Sequence, residues 1–410
     1  MIKKILSDEM VKGGIVLFIM ISIFNFLNYL FHFITARMLD PSQYGVLVTL
    51  MSIIYIITIP SEAIQTIVTK YTSNFYKYKQ YGKIRTLFNK FFNKGLKISL
   101  FVFLIYILFT PIISNLLKIE ISLLVISGFA IFIVFIMPVG RGILQGTKKF
   151  YLLGINYLSE GIIKLFLTVI LISLGLSIFG AISSVIIAAL AAFFISIFSY
   201  IDIYKYKKER LKIDGLYSYS LNVFLLFASI IVILSTDIII ARMIFPPDVV
   251  GKYAVASTIG KMIFFSTLPI SKVMFPLTSE KTGDKGNTII LFVKSLVLIL
   301  IISFTALLIF WLFPQQFISI LFSDKYIDVS GIIIYTGISF TILSISNLLL
   351  TYYLSQNEKI SVIRVIFFMM IIFIIQFSLL FHTDSIKEFA LFLLFSNIII
   401  FIIALFFINK

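Results

Sequence analysis

Apolar residues run through this chain in long blocks, each closed by a short cluster of charge or by turn residues. Blocks of about 20 apolar residues have the length that a helix needs to cross the ~30 Å hydrocarbon core of a bilayer. Read this way, the sequence predicts twelve spans, at 13–36, 44–69, 95–117, 121–140, 152–174, 177–200, 217–244, 252–276, 288–312, 329–354, 360–381 and 388–409. The chain opens Met-Ile-Lys-Lys like a secretory signal. Its first apolar block nevertheless runs from Gly13 to Thr35 without a charge or a small-residue cleavage site, which predicts a retained first helix.

Composition strengthens this picture. Of 410 residues, 60% are hydrophobic and only 13% charged, against about 25% charged in soluble domains, and the mean hydropathy is +1.11. An ordinary soluble enzyme is excluded, and the expected class is an all-α polytopic membrane protein. With no Cys and two isolated histidines, His32 and His382, disulfides and thiolate chemistry are excluded, and neither a metal site nor a cofactor is expected.

The formal charge of +16 is explained by topology rather than by nucleic acid. With the N-terminus in the cytoplasm, 24 basic residues fall on the inner side and 6 on the outer, the asymmetry of the positive-inside rule. This places the chain in the cell membrane with both termini cytoplasmic. The longest cytoplasmic stretch, the basic loop 70–97, interleaves tyrosines and phenylalanines with eight basic residues. A surface-lying helix fits it, serving either as orientation signal and aromatic anchor or as a collector of anionic headgroups.

The chain repeats itself at half its length. Ala36-Arg37-Met38, followed by Pro41 and Gly45, recurs as Ala241-Arg242-Met243, followed by Pro246 and Gly251; Thr58-Ile59-Pro60 recurs as Thr267-Leu268-Pro269, and Thr72-Ser73 as Thr278-Ser279. Two lobes of six helices each follow, 1–212 and 213–410. Because six is even, the copies enter the membrane the same way and a parallel repeat is expected, with a central cavity between the lobes. Prolines 60, 111, 138, 269 and 276 fall within or near the ends of spans, where they bend helices.

Charges inside spans are costly, about 2.5–3.5 kcal/mol at the bilayer centre, and mark cavities or pathways. Lys272, Lys294 and Arg364 lie near helix ends and can snorkel. Deeper are Glu62, Glu160, Lys164, Asp237 and Lys261. Glu160 and Lys164, four residues apart on one helix, are placed to neutralise each other. Lys261 has no carboxylate within four residues, so its partner is another helix, a solvated cavity or an anionic ligand. It is the leading candidate for an anion site. Asp237 precedes Arg242 by five residues as His32 precedes Arg37. The two arginines close the first helix of each half and suit either interfacial anchoring or the planar recognition of phosphate oxygens. Glu62 suits proton or sodium exchange, or a structural ion pair. No phosphate-binding G-x-x-x-x-G-K-[ST] loop occurs, Gly260-Lys261 being followed by Met262, and no Ser/His/Asp set stands in the loops, so neither ATP hydrolysis nor other catalysis is expected.

Three stretches carry a family resemblance: Ile34-Thr-Ala-Arg-Met-Leu-Asp-Pro-Ser-Gln-Tyr-Gly45; Arg141-Gly-Ile-Leu-Gln-Gly146 running through Lys148 and Lys149 to Glu160; and Thr236-Asp-Ile-Ile-Ile-Ala-Arg242 with Gly251-Lys-Tyr253 and Phe275-Pro276. Together they resemble the polysaccharide biosynthesis or oligosaccharide flippase (Wzx-like) family of the multidrug/oligosaccharidyl-lipid/polysaccharide exporter superfamily. The resemblance covers most of the chain, with no sharp motif after about Asn287. It implies a flippase that moves a polyprenyl-pyrophosphate-linked oligosaccharide from the cytoplasmic to the outer leaflet for surface polysaccharide assembly. It also implies a positively charged cavity between the lobes, with the lipid bilayer, a polysaccharide polymerase and glycosyltransferases as partners. Arg37, Arg141, Lys164, Arg242 and Lys261 would then contact pyrophosphate or sugar, while Glu62, Glu160 and Asp237 would couple transport or hold those cations. Within the superfamily, a peptidoglycan-precursor flippase would favour fourteen spans, and a cation-coupled multidrug-type exporter would favour carboxylates over lysines in the cavity. A non-transporting scaffold of a polysaccharide-synthesis complex would need none of the deep charges.

Overall fold

A computed structural model describes residues 9–211, 218–279, 285–356 and 383–408, with five isolated positions between 371 and 378. The eleventh predicted span, with Lys359, Arg364 and His382, therefore falls almost wholly outside the described residues, as do Lys281 and the two ends of the chain. The described residues are nearly all helical and contain no strand. Nine helical stretches among them are long and apolar enough to cross a membrane. The chain is a polytopic all-α membrane protein.

In chain order the helices are α1 (Glu9–Met38), α2 (Pro41–Ile57), α3 (Ile59–Lys77), α4 (Tyr81–Leu117), α5 (Ile121–Gly128), α6 (Ala130–Gly146), α7 (Phe150–Leu171), α8 (Ser177–Tyr200), α9 (Ser218–Ile244), α10 (Pro247–Ser279), α11 (Lys285–Leu312), α12 (Pro314–Leu321), α13 (Ile333–Gln356) and α14 (Ile386–Ile408). Each predicted span other than the eleventh meets a helix or a broken pair. The second span is divided at Thr58, so Pro60 stands in the first turn of α3, where its missing N–H leaves no bond unmade. Its repeat counterpart Pro269 lies within α10, which runs on unbroken.

The stretch 70–97 differs from the expected loop with a surface-lying helix. It is the end of α3, a turn at 78–80, and the first turns of the 37-residue helix α4. At 1.5 Å per residue such a helix is about 55 Å long, well beyond the ~30 Å hydrocarbon core. Its basic end therefore projects past the membrane as a continuation of the span. Ile84, Leu87 and Phe88 of that projection are buried against Tyr200 and Ile203, and Arg85 donates to the carbonyls of Tyr204 (2.9 Å) and Tyr206 (2.7 Å).

Two compact units result, unit 1 from Met1–Leu39 and Ile53–Leu216, unit 2 from Asp40–Ser52 and Tyr217–Lys410. They differ from a division at residue 212 chiefly in giving the first turns of α2 to unit 2. In both, many large apolar side chains face outward, and small and hydroxyl residues are buried inside beside large ones such as Phe31 and Phe340. On α4, for example, Phe101 and Leu108 are 65% and 73% exposed while Gly95 and Ser99 are buried. This is the distribution expected where lipid is the solvent and helices associate through close packing.

The repeat is visible in the packing of each unit. In unit 2, Thr267 bonds Ser344 at 3.0 Å and Thr278 bonds Ser355 at 2.7 Å. Both pairs are 77 residues apart, so α10 and α13 run parallel in fixed register. In unit 1 the equivalent pair is α3 and α6, where the Gln145 side chain accepts from Gln65 at 3.0 Å and from Thr69 at 3.2 Å. Gly142 and Gly146 allow the close approach, since a Cβ at either would stand 2.8 Å from Val68 or 2.6 Å from Thr72. Unit 2 also joins the two copies of the repeated motif. A Cβ at Gly45 would lie 2.8 Å from the Gly251 nitrogen and 3.2 Å from the Pro247 carbonyl, and one at Gly251 would lie 1.7 Å from the Pro41 carbonyl. The contact is reciprocal, Pro41 and Gly45 against Pro247 and Gly251, as a local two-fold relation between the starts of α2 and α10 requires.

Candidate functional site

Among the described residues, each unit holds a cluster of charge buried among its membrane-spanning helices. In unit 1 the cluster is built on α7, where Asn156, Glu160 and Lys164 recur every fourth residue and so share one helix face. Arg141 of α6 meets this face. Its Nε donates to the Asn156 side chain at 2.8 Å, its terminal nitrogen is bonded to the Glu160 carboxylate, and its guanidinium lies 3.9 Å from the centre of the Tyr157 ring. The Asn156 amide in turn donates to the Ala192 carbonyl of α8 at 2.6 Å, which fixes its orientation. Glu62, in the first turn of α3, lies within electrostatic reach of Arg141.

The carboxylate of Glu160 is thus bonded to Arg141 and not, as the four-residue spacing suggests, to Lys164. The arginine fork from the neighbouring helix offers a charge-assisted bond of better geometry than a lysine one turn along the same helix. Lys164 stays within electrostatic range of Glu160, yet its hydrogen bond goes to the neutral amide oxygen of Asn28 on α1. Its ammonium lies over the rings of Phe31 and Phe24, at 4.9 and 6.0 Å, and the residue is only 5% exposed. An ammonium so placed is held by an amide and two π faces, without a carboxylate at bonding distance.

In unit 2 the cluster spans α9 and α10. Asp237 of α9 is fully buried, and three α10 residues at every fourth position converge on it. The Tyr253 hydroxyl donates at 3.4 Å, the Ser257 hydroxyl at 2.5 Å and the Lys261 ammonium at 2.9 Å. The Tyr253 ring is braced edge-on by Phe389 at 5.0 Å, and Lys261 lies 5.6 Å from the Phe340 ring centre. Of the partners open to Lys261 from sequence, another helix is the one realised.

The two repeat-related arginines differ in setting. Arg37, at the end of α1, is exposed, whereas Arg242, at the end of α9, is buried. Neither is brought into a cluster by a bond described above. The participants that sequence reasoning missed are Asn28, Asn156, Tyr157, Tyr253 and Ser257. The every-fourth-residue polar stripes 156/160/164 and 253/257/261 were a readable signal in otherwise apolar helices, whereas the reach of Asn28 from α1 was not.

In the first turns of α10 in unit 2, half-buried Lys252 pairs with exposed Asp328 at 2.5 Å, and the ammonium's hydrogen bond and charge hold the Asp328 carboxyl below its usual range. Among the described residues no group of His, Cys, Asp and Glu is arranged to hold a metal.

The sequence matches the family model described as polysaccharide biosynthesis protein over residues 34–331. A search of curated proteins returns no match. Among solved structures, the fold is similar to a multidrug resistance MATE family transporter of the MOP superfamily in an inward-facing conformation, with TM-score 0.74, 10% identity and 93% of each chain covered. It is also similar to the lipid II flippase MurJ in an inward closed conformation, with TM-score 0.71, 16% identity, and coverage of 97% of this chain and 88% of that one. A third likeness, with TM-score 0.63 and 14% identity over 98% and 94% of the chains, is to a MOP superfamily transporter from Pyrococcus furiosus, described as having a binding pocket of reversed polarity. At these identities the likeness is one of fold.

Proposed function

This chain belongs to the polysaccharide biosynthesis protein family, and we propose that it is a flippase that carries a polyprenyl-pyrophosphate-linked oligosaccharide from the cytoplasmic to the outer leaflet for surface polysaccharide assembly. It would act in the cell membrane with both termini in the cytoplasm. The observation that carries the reading is Lys164, a buried ammonium in a membrane helix whose hydrogen bond goes to a neutral amide. A pyrophosphate is a ligand that such a group can hold more strongly than Asn28 does.

In this reading Lys164 is the primary anion contact of unit 1, and Arg141 joins it when Glu160 is drawn off the guanidinium. Lys261, Arg242 and Arg37 are further contacts for phosphate or sugar. Glu62, Glu160 and Asp237 hold the cations in place between transport events or couple transport to an ion. The lipid tail stays in the bilayer while the headgroup crosses. With the inside negative, outward movement of anionic charge gains about 2.3 kcal/mol per charge per 100 mV, so membrane potential supplies a driving force without ATP.

The test is the leaflet distribution of lipid-linked oligosaccharide in cells lacking the protein, rescued by wild type, Lys164→Arg or Lys164→Met at matched membrane levels. Accumulation on the cytoplasmic face is expected, relieved by wild type and largely by the arginine variant, but not by methionine. Unchanged lipid-linked intermediates and unchanged surface polymer would refute the reading in favour of a small-molecule exporter or a scaffold.

A further inference from the structure

At the end of unit 1 where α3 and α6 both terminate lies an open surface pocket of about 570 Å³, lined mostly by exposed residues. Four lysines line it, Lys70, Lys77, Lys79 and Lys148, and no carboxylate does. The sequence explains the imbalance, since no Asp or Glu occurs between Glu62 and Glu120. None of the four forms one of the ion pairs found among the described residues. Four exposed lysines around one open pocket, with no carboxylate in its lining, set up a positive potential that attracts an anion and weakens with added salt.

Two of the lysines are delivered by the same local device. The chain leaves α3 through Lys79 at φ 55° and leaves α6 through Lys148 at φ 61°. In each case the next amide reaches back five residues, Gln80 to the Phe75 carbonyl and Lys149 to the Leu144 carbonyl, both at 2.9 Å. These are Schellman terminations, whose left-handed position usually falls to glycine. Lysine occupies it at both helix ends although a side chain there is conformationally costly. Lys70 and Lys77, seven residues apart on α3, share the helix face that carries Ser73 and Asn74, so hydroxyl and amide donors stand between the ammonium groups. Tyr81 closes the rim, its ring stacked on Tyr206 at 4.7 Å.

We propose that this pocket is a binding site for a phosphoryl anion, either the headgroup of an anionic phospholipid or free pyrophosphate. The chemistry is common to both: several ammonium groups around a multiply charged oxyanion, with hydroxyl and amide donors completing its hydrogen bonds. The site is separate from the buried clusters of the membrane helices and does not depend on the flippase reading.

The test uses the full-length protein purified in neutral detergent. Binding of inorganic pyrophosphate is measured by calorimetry, and retained phosphatidylglycerol by native mass spectrometry after detergent exchange. The proteins compared are wild type, K70Q/K77Q/K79Q/K148Q, and K90Q/K97Q/K207Q/K208Q, which removes the same charge from exposed lysines elsewhere on unit 1. A fourth, K79G/K148G, removes two ammonium groups while placing glycine where the backbone favours it, so its fold is at least as stable as wild type. Each lysine near a phosphate is worth about a fivefold change in affinity. The glycine pair is expected to weaken binding about 25-fold, the pocket quadruple by more, and the control quadruple by less than about fivefold. Loss of phosphatidylglycerol alone assigns the site to a lipid headgroup, and loss of pyrophosphate alone to the free anion. Equal binding by wild type and both pocket variants, or an equal loss in the control, would overturn the proposal.

Discussion

Replacing Lys261 with methionine isolates the energetics of the unit 2 cluster. The substitution keeps the apolar stem over Phe340 and removes the ammonium that donates to Asp237 at 2.9 Å. Asp237 is then a fully buried carboxylate with two neutral donors, Ser257 at 2.5 Å and Tyr253 at 3.4 Å. Breaking a buried ion pair by removing one partner costs about 3–5 kcal/mol. The two hydroxyl bonds survive, which places the expected cost near the lower end, at about 3 kcal/mol. For a cooperative unit of about 200 residues this lowers the melting temperature by roughly 6–12 °C. The companion Asp237→Asn removes the charge that needed compensation, so D237N/K261M should recover about 2 kcal/mol relative to the sum of the single changes. Thermal melting in detergent suits this cycle, because the chain's single tryptophan, Trp311, lies in unit 2 and reports on it. A K261M protein that melts with wild type, or a double variant as destabilised as the sum of the singles, would show that the pair carries no coupling.

Three further outcomes follow from particular contacts. Gly251→Ala should cost about 3 kcal/mol or more, because the new Cβ would stand 1.7 Å from the Pro41 carbonyl, backbone that cannot yield as a side chain does; a melt indistinguishable from wild type would contradict the reciprocal packing. Lys164→Met and Arg141→Met should separate stability from transport. The first removes a buried charge bonded only to an amide, so stability should hold or rise by about 1–2 kcal/mol. The second strands Glu160 and should cost about 3 kcal/mol, while both abolish flipping; equal melting of the two variants would refute the assignment of partners. At the surface, the hydrogen bond and charge of Lys252 lower the Asp328 pKa, so any stability it lends is present above the usual carboxylate range and lost as pH falls through the lowered value. The melting difference between wild type and Asp328→Asn should therefore be small, close on acidification and vanish in molar salt; a difference that widens in acid would refute the pairing.

The spans other than the eleventh, which lies outside the described residues, were legible because lipid imposes a simple rule of length and apolarity, and the repeat because Pro41 and Gly45 are constrained by a contact with Pro247 and Gly251. Depth in the sequence likewise singled out Glu160, Lys164, Asp237 and Lys261. Partner choice was not legible, since it depends on which face of one helix meets which face of another. Glu160 is four residues from Lys164 yet bonded to Arg141, nineteen residues away, and Lys261 finds Asp237 at a separation of 24. The stretch 70–97 read as a loop because its charges exclude it from the bilayer. Nothing in charge or hydropathy shows that a helix continues once it leaves the membrane; that follows from the burial of Ile84, Leu87 and Phe88 against Tyr200 and Ile203.

The repeat carries packing, but it does not carry charge. Both units use one device, polar residues at every fourth position of a membrane helix facing an ionised side chain on its neighbour, and they use it on helices that are not equivalents. Advancing 206 residues from Arg141 and Glu160 reaches Asn347 and Ile366, and stepping back 206 from Lys261 reaches Tyr55. The parallel pairs α3 with α6 and α10 with α13, and the reciprocal glycine contact, are the inherited scaffold on which each half has placed its own ions. A substitution in one cluster therefore has no stand-in within the other half. A cargo with unlike ends, a pyrophosphate joined to a neutral sugar on one side and a lipid on the other, has no two-fold symmetry for a symmetric pair of sites to match, and the divergence of the two clusters fits the proposed function on that ground.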